Sequence, residues 1–178
     1  RAVPSPRRRF ARPLCDPARP FFYQRSQRCR VDAASRWVNH RQVERALRDV
    51  DYVFHFVSLS TPASTANDPR AEIDSNLRGT LQLLDLAVKH SVKKIVYPSS
   101  GGAVYGNALE EVVNETVQPR PVSPYAVTKL MIEEYFHYYG RQHGLDFVIY
   151  RIANPYGERQ NPYGIQGAIP IFMKHMML

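Results

Sequence analysis

The sequence predicts an α/β fold built on a parallel sheet, because strand-like and helix-like segments alternate along most of the chain. Two apolar, strand-like runs at residues 93–97 and 147–151 flank a helix-like segment at 123–140. An earlier apolar run at 51–57 precedes a second helix-like segment at 74–90. This order of elements is typical of parallel sheets, which bind ligands at the carboxyl ends of their strands.

The first strand and helix of this pattern have distinct hydrophobic periodicities. His55 lies inside the apolar strand, where a histidine with core partners is more common than a metal ligand. The polar loop 58–62 follows. Helical periodicity then predicts that segment 74–90 packs on the sheet through one apolar stripe, which consists of Leu77, Leu81, Leu84 and Val88.

The second strand and helix are joined by a loop suited to ligand binding. Residues 99–106 are rich in hydroxyls and glycine, and small residues let a ligand approach the backbone. Ser123 is a predicted N-cap and Pro124 the first helical residue, so the next helix would extend to Gly140.

Tyr125 and Lys129 are four residues apart and would share one face of that helix. An ammonium beside a phenol favours the phenolate, which would lower the tyrosine pKa from about 10 towards neutrality. A general base works best there, so the pair predicts proton removal from an alcohol. With 11 tyrosines in the chain the same spacing also arises by chance, and the surrounding sequence must decide.

Five blocks of sequence, in order along the chain, carry a resemblance to a known family. Together they show that residues 37–178 resemble the extended short-chain dehydrogenases/reductases, and within them the NAD-dependent nucleotide-sugar epimerase/dehydratase group, which includes UDP-glucose 4-epimerases. The resemblance implies a Rossmann-like parallel sheet with flanking helices, NAD as cofactor and a nucleotide-sugar substrate. The blocks are residues 51–58, 76–80, 99–106, 125–129 and 151–157.

The resemblance also implies roles for individual residues. Tyr125 would take the proton of a sugar hydroxyl, and Lys129 would hold the nicotinamide ribose. Asn154 matches a position that contacts the nucleotide-sugar. Asn76 matches one that supports the cofactor loop, against the alternative that it caps a helix. The implied cofactor-binding residues are Phe56, Val57, Ser58, Asn76, Ser99, Tyr125, Lys129 and Ala153.

The catalytic hydroxyl departs from the family pattern. Relatives carry a Ser or Thr that shares the substrate hydroxyl with the tyrosine, and this position falls on Gly101 here. Either Ser100 supplies the hydroxyl or the catalytic set is incomplete. Family dehydratases and decarboxylases place acidic residues where this chain has Gly102 and Ala103, so the resemblance favours epimerisation.

The front of the chain also departs from the family pattern. The family's first strand and helix enclose a glycine-rich phosphate loop, but residues 1–50 contain no glycine. We therefore expect a basic, Arg/Pro-rich irregular segment at 1–36 and a partial NAD-binding domain at 37–178 that runs into the start of a substrate domain. The fold would lack its first βα unit and most of the substrate domain. The alternative function is a truncated, catalytically silent remnant or interaction module.

The charge distribution bears on possible partners. Residues 1–48 contain 13 Arg and 3 acidic residues, whereas 49–178 contain 11 basic and 13 acidic residues. The basic character belongs to the front segment, so nucleic acid is not favoured as a partner of the enzyme-like body. The chain has no 18-residue apolar stretch, and a cytoplasmic protein that does not bind membranes is expected. Cys15 and Cys29 have no ligand-like spacing, so no metal is predicted. The resemblance implies a homodimer through the helices at 74–90 and 124–140.

Overall fold

A computed structural model of the chain describes residues 40–60, 68–107, 112–158, 160–163 and 167–176. The predicted irregular segment at 1–36, with Cys15 and Cys29, lies outside these residues. The described elements, in chain order, are α1 (His40–Leu47), β1 (Tyr52–Phe54), α2, β2 (Lys94–Ser100), α3 (Gly101–Val104), α4 (Pro124–His143), β3 (Asp146–Ile152) and α5 (Ala168–Met176); α2 joins an α-helical turn (Pro69–Glu72), a π-helical turn (Ile73–Leu77) and an α-helix (Arg78–Lys89).

The strands that the structure describes form one parallel sheet in the order β1-β2-β3. At its centre Ile95 pairs with Val53 on one side and with Phe147 on the other. At its carboxyl end Ser100 of β2 pairs with Ile152 of β3. Helices α2 and α4 connect successive strands, as parallel pairing requires. The sheet confirms the predicted α/β fold and brings the ends of β1, β2 and β3 to one edge.

Helix α2 begins five residues before the predicted start at Asp74. The Asp68 carboxylate accepts hydrogen bonds from the backbone N–H groups of Arg70 (3.1 Å) and Ala71 (3.2 Å), and Pro69 is the first helical residue. An acidic N-cap followed by proline is a strong start signal. The apolar stripe begins later than the helix does, so periodicity alone placed the start too far along the chain.

Helix α4 begins as predicted and ends later than predicted. The Ser123 hydroxyl accepts a hydrogen bond from the Ala126 N–H (3.2 Å), which confirms the cap. The helix continues through Gly140, where a Cβ would lie 2.8 Å from the Phe147 ring. Gly144, with a φ of 67°, ends the helix instead. Gly140 is therefore a close-packing position, and Gly144 is the left-handed C-cap.

The hydrophobic core lies where α2 and α4 cover one face of the sheet. Leu84, Ile95 and Phe136 have no exposed surface. Burial of each such side chain contributes about 1.5–3 kcal/mol to folding. Of the predicted stripe on α2, Leu77 and Leu84 are buried, whereas Leu81 and Val88 are half-buried at the edge of the core. Because α1 also packs on α2, the buried face of α2 is wider than predicted and includes Leu83, Leu86 and Ala87.

Candidate catalytic site

The candidate site lies at the carboxyl end of β2, against the first two turns of α4. Ser100 is the last residue of β2, and Tyr125 lies in the first turn of α4. Lys129, one turn further along α4, donates a hydrogen bond from Nζ to the Pro98 carbonyl oxygen (3.1 Å). Its Nζ is 5.7 Å from the centroid of the Tyr125 ring. The fold thus brings together the three residues that the sequence analysis assigned to catalysis.

Lys129 is a buried ammonium. Only 7% of the residue is exposed. Burial lowers the pKa of Lys129 to about 8, because the charged form loses its hydration, while the carboxylates of Glu72 and Glu133 act in the opposite direction. Its Nζ also lies 4.8 Å from the centroid of the Tyr97 ring, a distance that allows a cation–π contact.

The predicted direction of the Tyr125 pKa is wrong for this structure. Burial raises the pKa of the Tyr125 phenol and the Glu72 carboxylate raises it further, although a hydrogen bond with the Ser100 side chain lowers it in part. The Lys129 ammonium is directed to the Pro98 carbonyl oxygen, where it does not offset this burial. By itself the site therefore favours the protonated phenol, so Tyr125 acts as a base only if bound NAD or substrate lowers its pKa.

The position of Gly101 explains why the hydroxyl is displaced from the family position. A Cβ at Gly101 would lie 2.6 Å from the Arg151 carbonyl oxygen, which is backbone and cannot move aside easily. A serine does not fit there without a shift of the chain. Ser100, one residue earlier, lies close enough to Tyr125 for its side chain to lower the pKa of the phenol in part. Ser100 as the catalytic hydroxyl stays a prediction, and so does the alternative of an incomplete catalytic set.

The site rests on a second polar cluster that the sequence analysis did not identify. Glu133 is buried and accepts hydrogen bonds from Nη2 (2.7 Å) and Nε (3.0 Å) of Arg151 and from the Ser99 hydroxyl. Arg151 also donates from Nη1 to the Tyr105 hydroxyl (2.7 Å). Hydrogen bonding to Glu133 raises the pKa of Arg151. The signal was present, since Glu133 continues the four-residue spacing of Tyr125 and Lys129 along one face of α4.

Asn76 supports the loop that follows β1. Its Oδ1 accepts a hydrogen bond from the Leu59 N–H (2.9 Å), and its Nδ2 donates to the Ser60 hydroxyl (2.6 Å) and to Glu72 Oε1 (3.0 Å). Asn76 is buried in the π-helical turn of α2 and makes no N-cap. The side chain thus holds the loop in place, as the resemblance implied.

The other residues expected to bind cofactor or substrate lie along the same edge of the sheet. Phe56 is 53% exposed and precedes Ser58, whose hydroxyl donates to the Ser60 carbonyl oxygen (3.3 Å). Ala153 and Asn154 are exposed just beyond β3. Of the expected cofactor-binding residues, Val57 is half-buried against the core and Ser99 is buried with its hydroxyl on Glu133.

His55 is a core histidine, as predicted. It is 3% exposed, and its Nε2 is 2.9 Å from the Thr80 hydroxyl. The Thr80 hydroxyl donates a hydrogen bond to the Asn76 backbone carbonyl oxygen (2.8 Å). It must therefore accept the hydrogen bond from His55, so Nε2 is the protonated nitrogen of that imidazole. Burial lowers the pKa of His55 to about 3, and the nearby Lys129 adds to this. His55 is therefore neutral at ordinary pH.

Comparison with known proteins settles the family. The model of the NAD dependent epimerase/dehydratase family matches residues 23–178. The chain belongs to this family. The match begins at residue 23, so the resemblance extends further towards the N-terminus than residue 37, where the sequence motifs placed its start.

Curated members of this family include close matches in sequence. A putative UDP-glucose 4-epimerase of Methanocaldococcus jannaschii is 38% identical over 130 residues, which are 73% of this chain and 43% of that protein. The UDP-glucose 4-epimerase of Mycolicibacterium smegmatis is 33% identical over 127 residues, or 71% of this chain and 41% of that protein. The chain therefore spans less than half the length of the curated epimerases that it matches.

Solved structures of the family have the same fold. The UDP-glucose 4-epimerase of Thermotoga maritima, crystallised with UDP-glucose, superimposes with a TM-score of 0.73 at 35% identity, covering 79% of this chain and 47% of that one. The Thermus thermophilus UDP-glucose 4-epimerase in complex with NAD gives a TM-score of 0.71 at 38% identity, covering 76% and 45%. The described part of this chain thus has the Rossmann-type arrangement of these epimerases.

Proposed function

We propose that this chain carries the proton-transfer site of an NAD-dependent nucleotide-sugar 4-epimerase. The observation that carries the proposal is the contact of Ser100 with Tyr125 at the carboxyl end of β2, with Lys129 buried beside them. Epimerisation at a sugar carbon needs one reversible oxidation of an alcohol. The Tyr125 phenol and the Ser100 hydroxyl would both hydrogen-bond to the oxygen of that sugar alcohol, and the phenol would transfer the proton.

The described residues fit the nicotinamide end of NAD. Lys129 Nζ has three N–H donors and uses one in its hydrogen bond to the Pro98 carbonyl oxygen. The other donors are left for ribose hydroxyls. The exposed stretch from Phe56 to Ser58 lies on the loop that Asn76 holds at the same edge. NAD, when bound, accepts a hydride from the sugar carbon and returns it. Tyr125 would take the hydroxyl proton and give it back, while Ser100 orients the oxygen and Asn154 contacts the nucleotide-sugar.

We also propose that the chain pairs with a second copy through α2 and α4. Val127, Met131 and Tyr138 lie on one face of α4 and are 42%, 37% and 46% exposed. Ile73 of α2 is 46% exposed. Light scattering after gel filtration would measure the mass, and Met131→Glu would shift a dimer towards the monomer. A monomeric parent would contradict this pairing.

No helix in the described part of the chain is long and apolar enough to cross a bilayer.

The proposed activity can be tested in a relative's framework. Residues 51–158 of this chain would replace the matching segment of the Thermotoga maritima UDP-glucose 4-epimerase, whose remainder supplies the other parts of that enzyme. We expect the graft to convert UDP-glucose to its 4-epimer. A graft that folds and binds NAD yet has no activity would contradict the proposal. The alternative, a catalytically silent module, is favoured by the absence of glycine from residues 1–50. It predicts that the 178-residue chain by itself converts no UDP-glucose, even where the graft is active.

A further inference from the structure

The described part of the chain buries three charged side chains beside the candidate site, Glu72, Lys129 and Glu133. A buried charge is costly unless an opposite charge or several hydrogen bonds compensate it. Glu133 has such compensation, since Arg151 donates to both of its carboxylate oxygens. Because Glu133 is paired with Arg151, the other two of these buried side chains, Glu72 and Lys129, carry opposite charges that this ion pair does not compensate.

Glu72 is only partly compensated by hydrogen bonds. It is 1% exposed, and its Oε1 accepts a hydrogen bond from Asn76 Nδ2 (3.0 Å). Its Oε2 is buried and has no hydrogen-bond partner among the residues that the structure describes. An ionised carboxylate in this setting requires a nearby positive charge. In the described part of the chain, Lys129 is a buried ammonium on α4, the helix that packs against the first two turns of α2.

Glu72 lies in a part of α2 that packs against the helix of the candidate site. Glu72 is the last residue before the π-helical turn that contains Asn76, and both side chains are buried. Single π-helical turns inside α-helices occur frequently at functional sites. The turn packs against α4, which carries Tyr125 and Lys129. The same turn holds the loop after β1 through the hydrogen bond of Asn76 with Leu59.

We propose that Glu72 is the counter-charge of Lys129 and a positioning residue of the site, which keeps the ammonium charged and links it through Asn76 to the loop after β1. That this link serves catalysis rests on the proposed epimerase function. The electrostatic pairing itself is a property of the chain as it exists. Glu72 acts through Lys129 and Asn76 and touches no reacting atom.

The electrostatics around Glu72 agree with this assignment. The Glu72 carboxylate raises the pKa of Lys129 against the dominant effect of burial, and it also raises the pKa of Tyr97 and Tyr125. Glu133 of α4 acts on Lys129 in the same direction as Glu72, and its charge is matched by Arg151. His55 of β1 is neutral and held by Thr80. Removal of the charge at Glu72 must therefore lower the pKa of Lys129 and of Tyr125.

The test is an NMR titration of the 178-residue chain labelled with ¹³C,¹⁵N-lysine. The chain contains five lysines, and Lys129→Arg assigns the resonance of interest. The Lys129 resonance should titrate with a midpoint near pH 8. It should be well separated from that of Lys94, whose pKa is raised by a hydrogen bond with Asp146. In Glu72→Gln, which keeps an acceptor for Asn76, we expect the Lys129 midpoint to fall by about one to three pH units.

Two control variants separate this pairing from a general effect of charge. Asp74→Asn removes a carboxylate two residues away on the same helix, where Asp74 is exposed and paired with Arg78 (3.0 Å), and it should leave the Lys129 midpoint unchanged. Glu72→Asp keeps the charge and should retain most of the parental midpoint. The inference is overturned if Glu72→Gln leaves the Lys129 midpoint where it is, whatever the activity of the protein.

A stability measurement covers the case in which Glu72→Gln folds poorly. Lys129→Met alone leaves the Glu72 carboxylate buried without its counter-charge. Adding Glu72→Gln removes that charge, so the double variant should melt at a higher temperature than Lys129→Met alone. Losses in melting temperature that simply add in the double variant would contradict the pairing.

Discussion

Gly101→Ser would place a hydroxyl where relatives carry Ser or Thr, and the structure predicts that it destabilises the protein. The new Cβ would lie 2.6 Å from the Arg151 carbonyl oxygen, closer than real Cβ contacts come. Gly101 begins α3, between β2 and β3, so the strain falls on backbone at the site. Overpacking of this kind costs about 1–3 kcal/mol, and replacement of a glycine offsets about 0.4–1 kcal/mol through the unfolded state.

With the middle of each range, about 2 and about 0.7 kcal/mol, the net loss for Gly101→Ser is about 1.3 kcal/mol. This corresponds to a melting temperature lower by about 3–5 °C in a chain of this size. Thermal unfolding followed by circular dichroism would measure it. Gly102→Ser is the matched control, because its nearest contact, the Ala153 carbonyl oxygen, would be 3.9 Å from the new Cβ. We expect that variant to melt close to the parent.

The comparison of the two serine variants can refute the steric argument. Equal melting temperatures for Gly101→Ser and Gly102→Ser would show that the chain yields at the Arg151 carbonyl oxygen. The assignment of the catalytic hydroxyl to Ser100 would then lose its structural basis, since position 101 could accept the family's serine.

Three further predictions concern the buried charges and the cofactor. Arg151→Met leaves Glu133 buried without its cation, and urea unfolding should show a loss of about 3–5 kcal/mol; an unchanged midpoint would contradict this. Between pH 8 and 10 the unfolded chain keeps the Lys129 proton that the folded protein has lost, so Lys129 makes stability rise with pH by about 1.4 kcal/mol per unit. Urea unfolding at several pH values should show this rise in the parent relative to Lys129→Met, and a flat difference would count against the buried ammonium. The 178-residue chain should bind NAD no tighter than about millimolar by calorimetry, because residues 1–50 have no glycine for a phosphate loop; a micromolar constant would refute this.

The sheet and the gathering of the site residues were predictable from sequence. Strand runs and the start of α4 are local patterns, and the carboxyl ends of parallel strands must share an edge. That Ser100, Tyr125 and Lys129 lie together follows from a strand end and a four-residue helix spacing. These features depend on neighbours along the chain, which a sequence shows directly.

Other features depend on packing between distant segments. The sequence placed the end of α4 at Gly140, but Gly140 packs closely against Phe147 inside the helix, and Gly144 ends it. The π-helical turn at Ile73–Leu77 has no periodic signature. The direction of the Tyr125 pKa required knowledge of its burial and of Glu72, which lies 53 residues earlier in the chain.

The central claim is that Tyr125 is the catalytic base, and one comparison of variants tests it most directly. In the graft of residues 51–158 into the Thermotoga maritima enzyme, Tyr125→Phe keeps the ring and removes the hydroxyl. Tyr138→Phe makes the same change on the 46% exposed Tyr138 of the same helix. We predict that the epimerisation rate falls by about 10²–10⁴ in the first variant and is unchanged in the second. A folded Tyr125→Phe graft that works at the parental rate would contradict the claim.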